Sequence, residues 1–114
     1  KPLHCTLVDT IECLPGGDCT KLDPAEVNLP DSIFIDYAKK SITTKEGDNK
    51  RTSTIENMEL IDGKLIIQGA EDGREDQRDG LGWSMAINDS TGKMVATGSG
   101  DDVGFVIFGS CTPE

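Results

Sequence analysis

The 114-residue chain reads as an all-β domain, a small antiparallel meander of seven or eight strands curled into a barrel. Three observations lead there. The stretch 58–69, MELIDGKLIIQG, sets two apolar runs on either side of Asp62-Gly63, the pairing of residue types that a two-residue type I′ hairpin turn selects. All but one of the five prolines precede Asp31 and the last is Pro113; proline cannot donate to a strand ladder, so the stretch between is permissive for a continuous sheet. Finally, no segment has the length and periodicity of a crossover helix, which a parallel sheet requires. A two-layer sandwich uses the same strands, but a barrel removes the exposed edges.

Taken in order, Leu3 to Ile11 supplies a first strand and LPGGDCT (14–20) a turn. Asp23-Pro24-Ala25-Glu26 has the residues of one helical turn over 23–27. Asp stands at the N-cap, Pro at the first helical position, and Glu three residues on, able to reach back as in a capping box. Ser32 to Ile35 and Ser41 to Thr44 form short strands across DYAKK, followed by a polar loop from Lys45 to Arg51. Thr52 to Ile61 and Lys64 to Gly69 make the Asp62-Gly63 hairpin. A two-residue loop fixes its register: Ile61 opposes Lys64, Leu60 opposes Leu65, Glu59 opposes Ile66, Met58 opposes Ile67 and Asn57 opposes Gln68. Alternation then puts Met58, Leu60, Leu65 and Ile67 on one face, predicted to be buried.

Ala70 to Gly80 is a charged loop. Leu81 to Ile87 and Lys93 to Ser99 pair across NDSTG, where Ser90-Thr91-Gly92 suits a three-residue turn with Gly in the left-handed position. That turn sets Ile87 against Val95, Met85 against Thr97 and Trp83 against Ser99, leaving Ser84, Ala86, Ala96 and Gly98 on a small opposite face. Val103 to Cys111, VGFVIFGSC, is apolar on both alternating faces and is expected to be central or covered on both sides. One domain spans 1–114: a tethered N-terminal segment to residue 30, then hairpins over 31–112.

Cys5, Cys13, Cys19 and Cys111 are an even number in a short chain that starts at Lys1, as a mature form freed of a signal segment would. None of the spacings is C-x-x-C, which removes the usual support for a zinc or thioredoxin-like reading, and two disulfides are expected. Three connectivities are open to four cysteines. The preferred one is Cys13–Cys19, closing a local loop, with Cys5–Cys111 joining the chain ends. A periplasmic or secreted location follows from that chemistry.

The net charge of −10 argues against nucleic acid, whose phosphates need a positive surface, and against docking on anionic lipid. A partner steered by charge is a basic protein. No apolar run reaches the ~18 residues of a membrane span. The acidic groups concentrate in two places that are candidate binding residues: Glu71, Asp72, Glu75, Asp76 and Asp79 in one loop, and Asp101 and Asp102 at a hairpin tip. Calcium favours several oxygen ligands, yet AEDGREDQRDG departs from the EF-hand pattern and carries Arg74 and Arg78, so no metal or other cofactor is expected.

A catalytic set does not assemble. The single histidine, His4, is read as a packing or surface residue, and no pair of carboxylates is marked out for acid–base work. GSGDDVG (98–104) lacks the G-x-G-x-x-G spacing and leads into a strand, so it is read as a hairpin tip and not a phosphate cradle. Trp83 is read as a core residue. Asn88-Asp89-Ser90 fits the N-glycosylation pattern at a turn.

Early Cys5, T-x-E-C at Thr10 to Cys13, NLPD from Asn28, and GFVIFGSCT from Gly104 resemble small secreted bacterial proteins of uncharacterised function. The general plan is similar to periplasmic lysozyme inhibitors, which are small disulfide-bonded β-barrels. That likeness implies a fold and brings no inhibitory residues with it. The reading is a non-enzymatic secreted or periplasmic binding module. Its alternatives are an inhibitor of a basic, lysozyme-like hydrolase and a carrier of a small apolar ligand within the barrel.

Overall fold

At the Asp62-Gly63 turn both central residues take positive φ, 52° and 76°, the conformation that aspartate and glycine tolerate best. In the computed structural model, which describes residues 2–23, 26, 32–46, 49–71 and 80–113, this turn joins β6 (Asn57–Ile61) to β7 (Lys64–Glu71). Their register is the expected one at every position from Ile61↔Lys64 to Asn57↔Gln68. The chain before them forms β1 (Leu3–Leu14), β2 (Asp18–Leu22), β3 (Ser32–Asp36), β4 (Ser41–Glu46) and β5 (Asn49–Thr54); after them come β8 (Leu81–Asn88), β9 (Lys93–Ser99) and β10 (Gly104–Pro113).

All the pairings are antiparallel, and the strand order is β5-β4-β3-β1-β10-β9-β8-β7-β6, with β2 added to the end of β1. The edge strands β5 and β6 follow one another in sequence with Ile55 and Glu56 between them. Consecutive Cα atoms lie about 3.8 Å apart, so opposite edges of the sheet meet within about 11 Å, and the sheet must curl. It forms a half-barrel. The meeting point is held by Ile55 N–H donating to Lys40 O (2.8 Å) and Glu56 N–H donating to Gln68 O (2.8 Å). Gly69 faces it: a Cβ there would lie 2.5 Å from Trp83 Cζ2 and 2.8 Å from Thr54 O. The bare backbone is therefore what lets the indole and the β5 end close over β7.

Among the described residues the sheet has ten strands against the seven or eight expected. Two additions explain the difference. The predicted turn after the first strand is confined to residues 15–17, and Asp18–Leu22 folds back on β1. The predicted strand Thr52 to Ile61 is two, because the chain changes partner from β4 to β7 at Ile55. The predicted polar loop Lys45 to Arg51 likewise shrinks, since β4 runs to Glu46 and β5 starts at Asn49. Of the turn over 23–27, Asp23 N–H donates to Glu26 Oε1 (2.9 Å), the Glu half of the expected capping box, while Glu26 N–H donates to the Asp23 backbone carbonyl (2.9 Å), closing a single turn through the main chain. Its other residues lie outside those described.

Both expected disulfides are present, each between directly paired residues: Cys5–Cys111 across β1 and β10, and Cys13–Cys19 across β1 and β2. The first joins the first strand of the chain to the last, at the middle of the sheet. Ile33, Ile35, Ile42, Ile55, Ile67, Met85, Ile87, Met94, Ala96 and Ile107 are buried with that disulfide and form the core.

One burial expectation and one register are corrected. Leu60 sits on the inward side of the hairpin but is 68% exposed, because β6 is the last strand and nothing among the described residues continues the sheet beyond it. Ile67 is fully buried, and Met58 and Leu65 are half-buried against the core. The β8–β9 register differs by one residue, with Ile87↔Met94, Met85↔Ala96 and Trp83↔Gly98. Asn88 is the cause. Its Oδ1 accepts from Ser90 N–H (2.9 Å) and Thr91 N–H (3.0 Å), which draws Asp89 into the turn. Every β9 side chain thereby changes face: Met94, Ala96 and Gly98 are buried and Val95 points out.

Candidate interaction surface

The outer face of the sheet carries an apolar row that follows from the observed registers. Phe108 on β10 pairs with Val95 on β9, Val95 with Ala86 on β8, and Ala86 with Ile66 on β7. Asp9 on β1 and Glu59 on β6 end the row. Phe108 is 41% and Val95 42% exposed. Beside Phe108 the β1–β10 register shifts between Leu7 and Asp9, leaving Val8 as the extra residue of a β-bulge, 58% exposed. Bulges re-aim side chains. This one turns a valine outward beside a phenylalanine, and the two border an open groove of about 370 Å³ with Val95, Asp9 and Lys93 on its sides. Asp9 is paired there with Lys21 (3.1 Å).

The sequence predicts Val103 to Cys111 to be central or covered on both faces. The strand is central, between β1 and β9, but Phe108 lies open on the outer side. The available signal was the second apolar face of VGFVIFGSC, with Val106 and Phe108; the bulge that completes the groove leaves no mark in the sequence.

The acidic candidates divide. Asp101 and Asp102 are exposed in the β9–β10 turn, where Asp102 has φ 60° and Gly100 N–H donates to Val103 O (2.9 Å). Glu71 ends β7 and pairs with Leu81, while Ser99 pairs with both Gly82 and Gly104. The start of the acidic loop and the Asp101-Asp102 tip thus share one end of the sheet. Asp72, Glu75, Asp76 and Asp79 lie outside the described residues.

His4 stacks on Phe34, ring centroids 4.8 Å apart and 13° from parallel, across the β1–β3 pair. Trp83 packs against the core as expected, with its Nε1 buried and unpartnered among the described residues. Thr10 Oγ1 is the other such atom, in a residue with no exposed surface. Burial pushes the Tyr37 hydroxyl above its ordinary pKa of 10.0. Among the described residues no group of three His, Cys, Asp or Glu is placed to hold a metal, and no helix is long and apolar enough to cross a membrane. Two disulfides in a small domain fit an oxidising, extracellular setting.

No family model, no curated protein and no solved structure matches this chain.

Proposed function

We propose that this protein is a secreted or periplasmic binding module, not an enzyme, whose partner is a protein bearing positive charge. The observation that carries the reading is the outward apolar row, Phe108, Val95, Ala86 and Ile66, with the Val8 bulge at one end, on a scaffold stapled by two disulfides. Apolar contact area supplies the bulk of protein association energy. The net charge of −10 selects the sign of the partner and accelerates its approach.

An inhibitor of a basic hydrolase is the more specific version, with Asp101 and Asp102 at the end of the sheet as its charged contact. The core places Ile35, Ile67 and Met94 in the interior, each 0–1% exposed, and this packing favours the outer face over the interior as the place where a partner binds.

Capture from a cell-envelope extract on immobilised, disulfide-bonded protein tests the reading, with salt elution and analysis of both proteins and extracted small molecules. A basic protein retained by the native chain and lost from a Val95→Ser, Phe108→Ser variant is the expected result. Retention of small molecules alone, or equal retention by native and variant chains, overturns it.

A further inference from the structure

The row on the inner face that runs Gly109, Met94, Ile87, Leu65 ends at Leu60 on β6. Every member before Leu60 has a neighbour on both sides in the sheet; Leu60 has one, and it is 68% exposed with Ile61 beside it at 48%. Among the described residues β6 pairs with β7 alone. In a two-residue hairpin the pair next to the turn exchanges both hydrogen bonds and the pattern alternates from there. Ile61, Glu59 and Asn57 therefore turn their backbone groups toward β7, and Met58 and Leu60 turn theirs away from the sheet.

We infer that the free edge of β6 is a strand-addition site for an extended segment of the partner in which apolar and basic residues alternate. The inference rests on the binding-module reading and names one of its contacts. An added strand continues the pleat of the sheet. Its residues opposite Met58 and Leu60 face inward, where an apolar side chain extends the row that Leu60 now ends. Its residue opposite Glu59 faces outward, where Lys or Arg meets an exposed carboxylate. Glu56, just before this strand, is also exposed, and the cation nearby, Lys64, is engaged by Asp62 (3.6 Å). Charge decides between occupants. A second copy of this chain brings another net charge of −10 and sets acidic strand against acidic strand, which directly opposed like charges disfavour; a basic segment gains from the same field.

The probe is an alternating lysine–valine hexapeptide added to the native, oxidised protein. Amide exchange and shift perturbation give the location, and a control peptide methylated at alternate backbone nitrogens removes the ladder bonds while keeping the charge. The expected result is slowed exchange at the Met58 and Leu60 amides, and binding at least about tenfold weaker for the methylated peptide. Leu60→Pro abolishes that difference, since its nitrogen bonds no other strand and proline is tolerated at such an edge. Glu59→Lys, which keeps the backbone, weakens binding of the unmodified peptide. Equal binding of the two peptides, or exchange protection confined to the groove at Phe108, overturns the strand-addition site; protection at the groove leaves the binding-module reading standing. Concentration-dependent dimerisation through β6 without peptide overturns the choice of occupant.

Discussion

Gly69 shows at residue scale how one missing side chain positions a whole edge. With Trp83 Cζ2 and the Thr54 carbonyl 2.5 and 2.8 Å from where its Cβ would be, Gly69→Ala must displace either an indole packed on the core or backbone. Overpacking of that kind costs about 1–3 kcal/mol, read as a lower midpoint in denaturant at unchanged slope. The glycine itself was plain in the sequence, but its role was not, because Thr54 meets it only after the chain has changed strand partners. Tyr37 makes a pH prediction. Its folded pKa is raised by burial, so its contribution to stability is complete below the unfolded value near 10 and is lost as pH climbs through the folded value. Tyr37→Phe is expected to flatten the loss of stability above pH 10 relative to the native chain; parallel curves for the two would refute the assignment.

Elements divide according to what fixes their register. The β6–β7 hairpin was legible in full, since Asp62-Gly63 admits one loop length and the loop length dictates every pair. The β8–β9 hairpin was legible in existence and not in register: STG offered a sound three-residue turn, but Asn88 Oδ1 captures two backbone donors and lengthens the loop. Asn88→Ala removes those acceptors, and a loss of about 1–2 kcal/mol is expected, by analogy with cap deletions. Cross-strand contacts between Ala86 and Val95 and between Ile87 and Met94, measured by NMR, would show whether the register holds. Leu60 was misplaced for a different reason. Periodicity assigns a side chain to a face, but it does not say whether another strand lies beyond, and β6 is the last one. The groove at Val8 was hidden in the same way, since a bulge is a departure from the alternation by which strands are read.

For the whole molecule, the disulfides and the curl act together. Cys5–Cys111 closes a sequence separation of 106 and Cys13–Cys19 one of 6; the chain-entropy model assigns them about 5 and 2 kcal/mol. Replacing the long link by alanines is therefore expected to lower the melting temperature well beyond replacing the short one, and full reduction further still. The preferred pairing is the one found, but the sequence left three connectivities open, because the placement of Cys5 opposite Cys111 exists only once β1 and β10 are in register. Function was less legible, because composition gives the sign of a partner's charge while the outward apolar row exists only once four strands are in register. The most direct measurement on the central claim is the affinity of the captured basic protein for native and Phe108→Ser chains, both oxidised and equally folded by circular dichroism. Binding through the outer face predicts a loss of at least about tenfold, the scale of one well-packed aromatic contact. Equal affinities would place the partner elsewhere and contradict it.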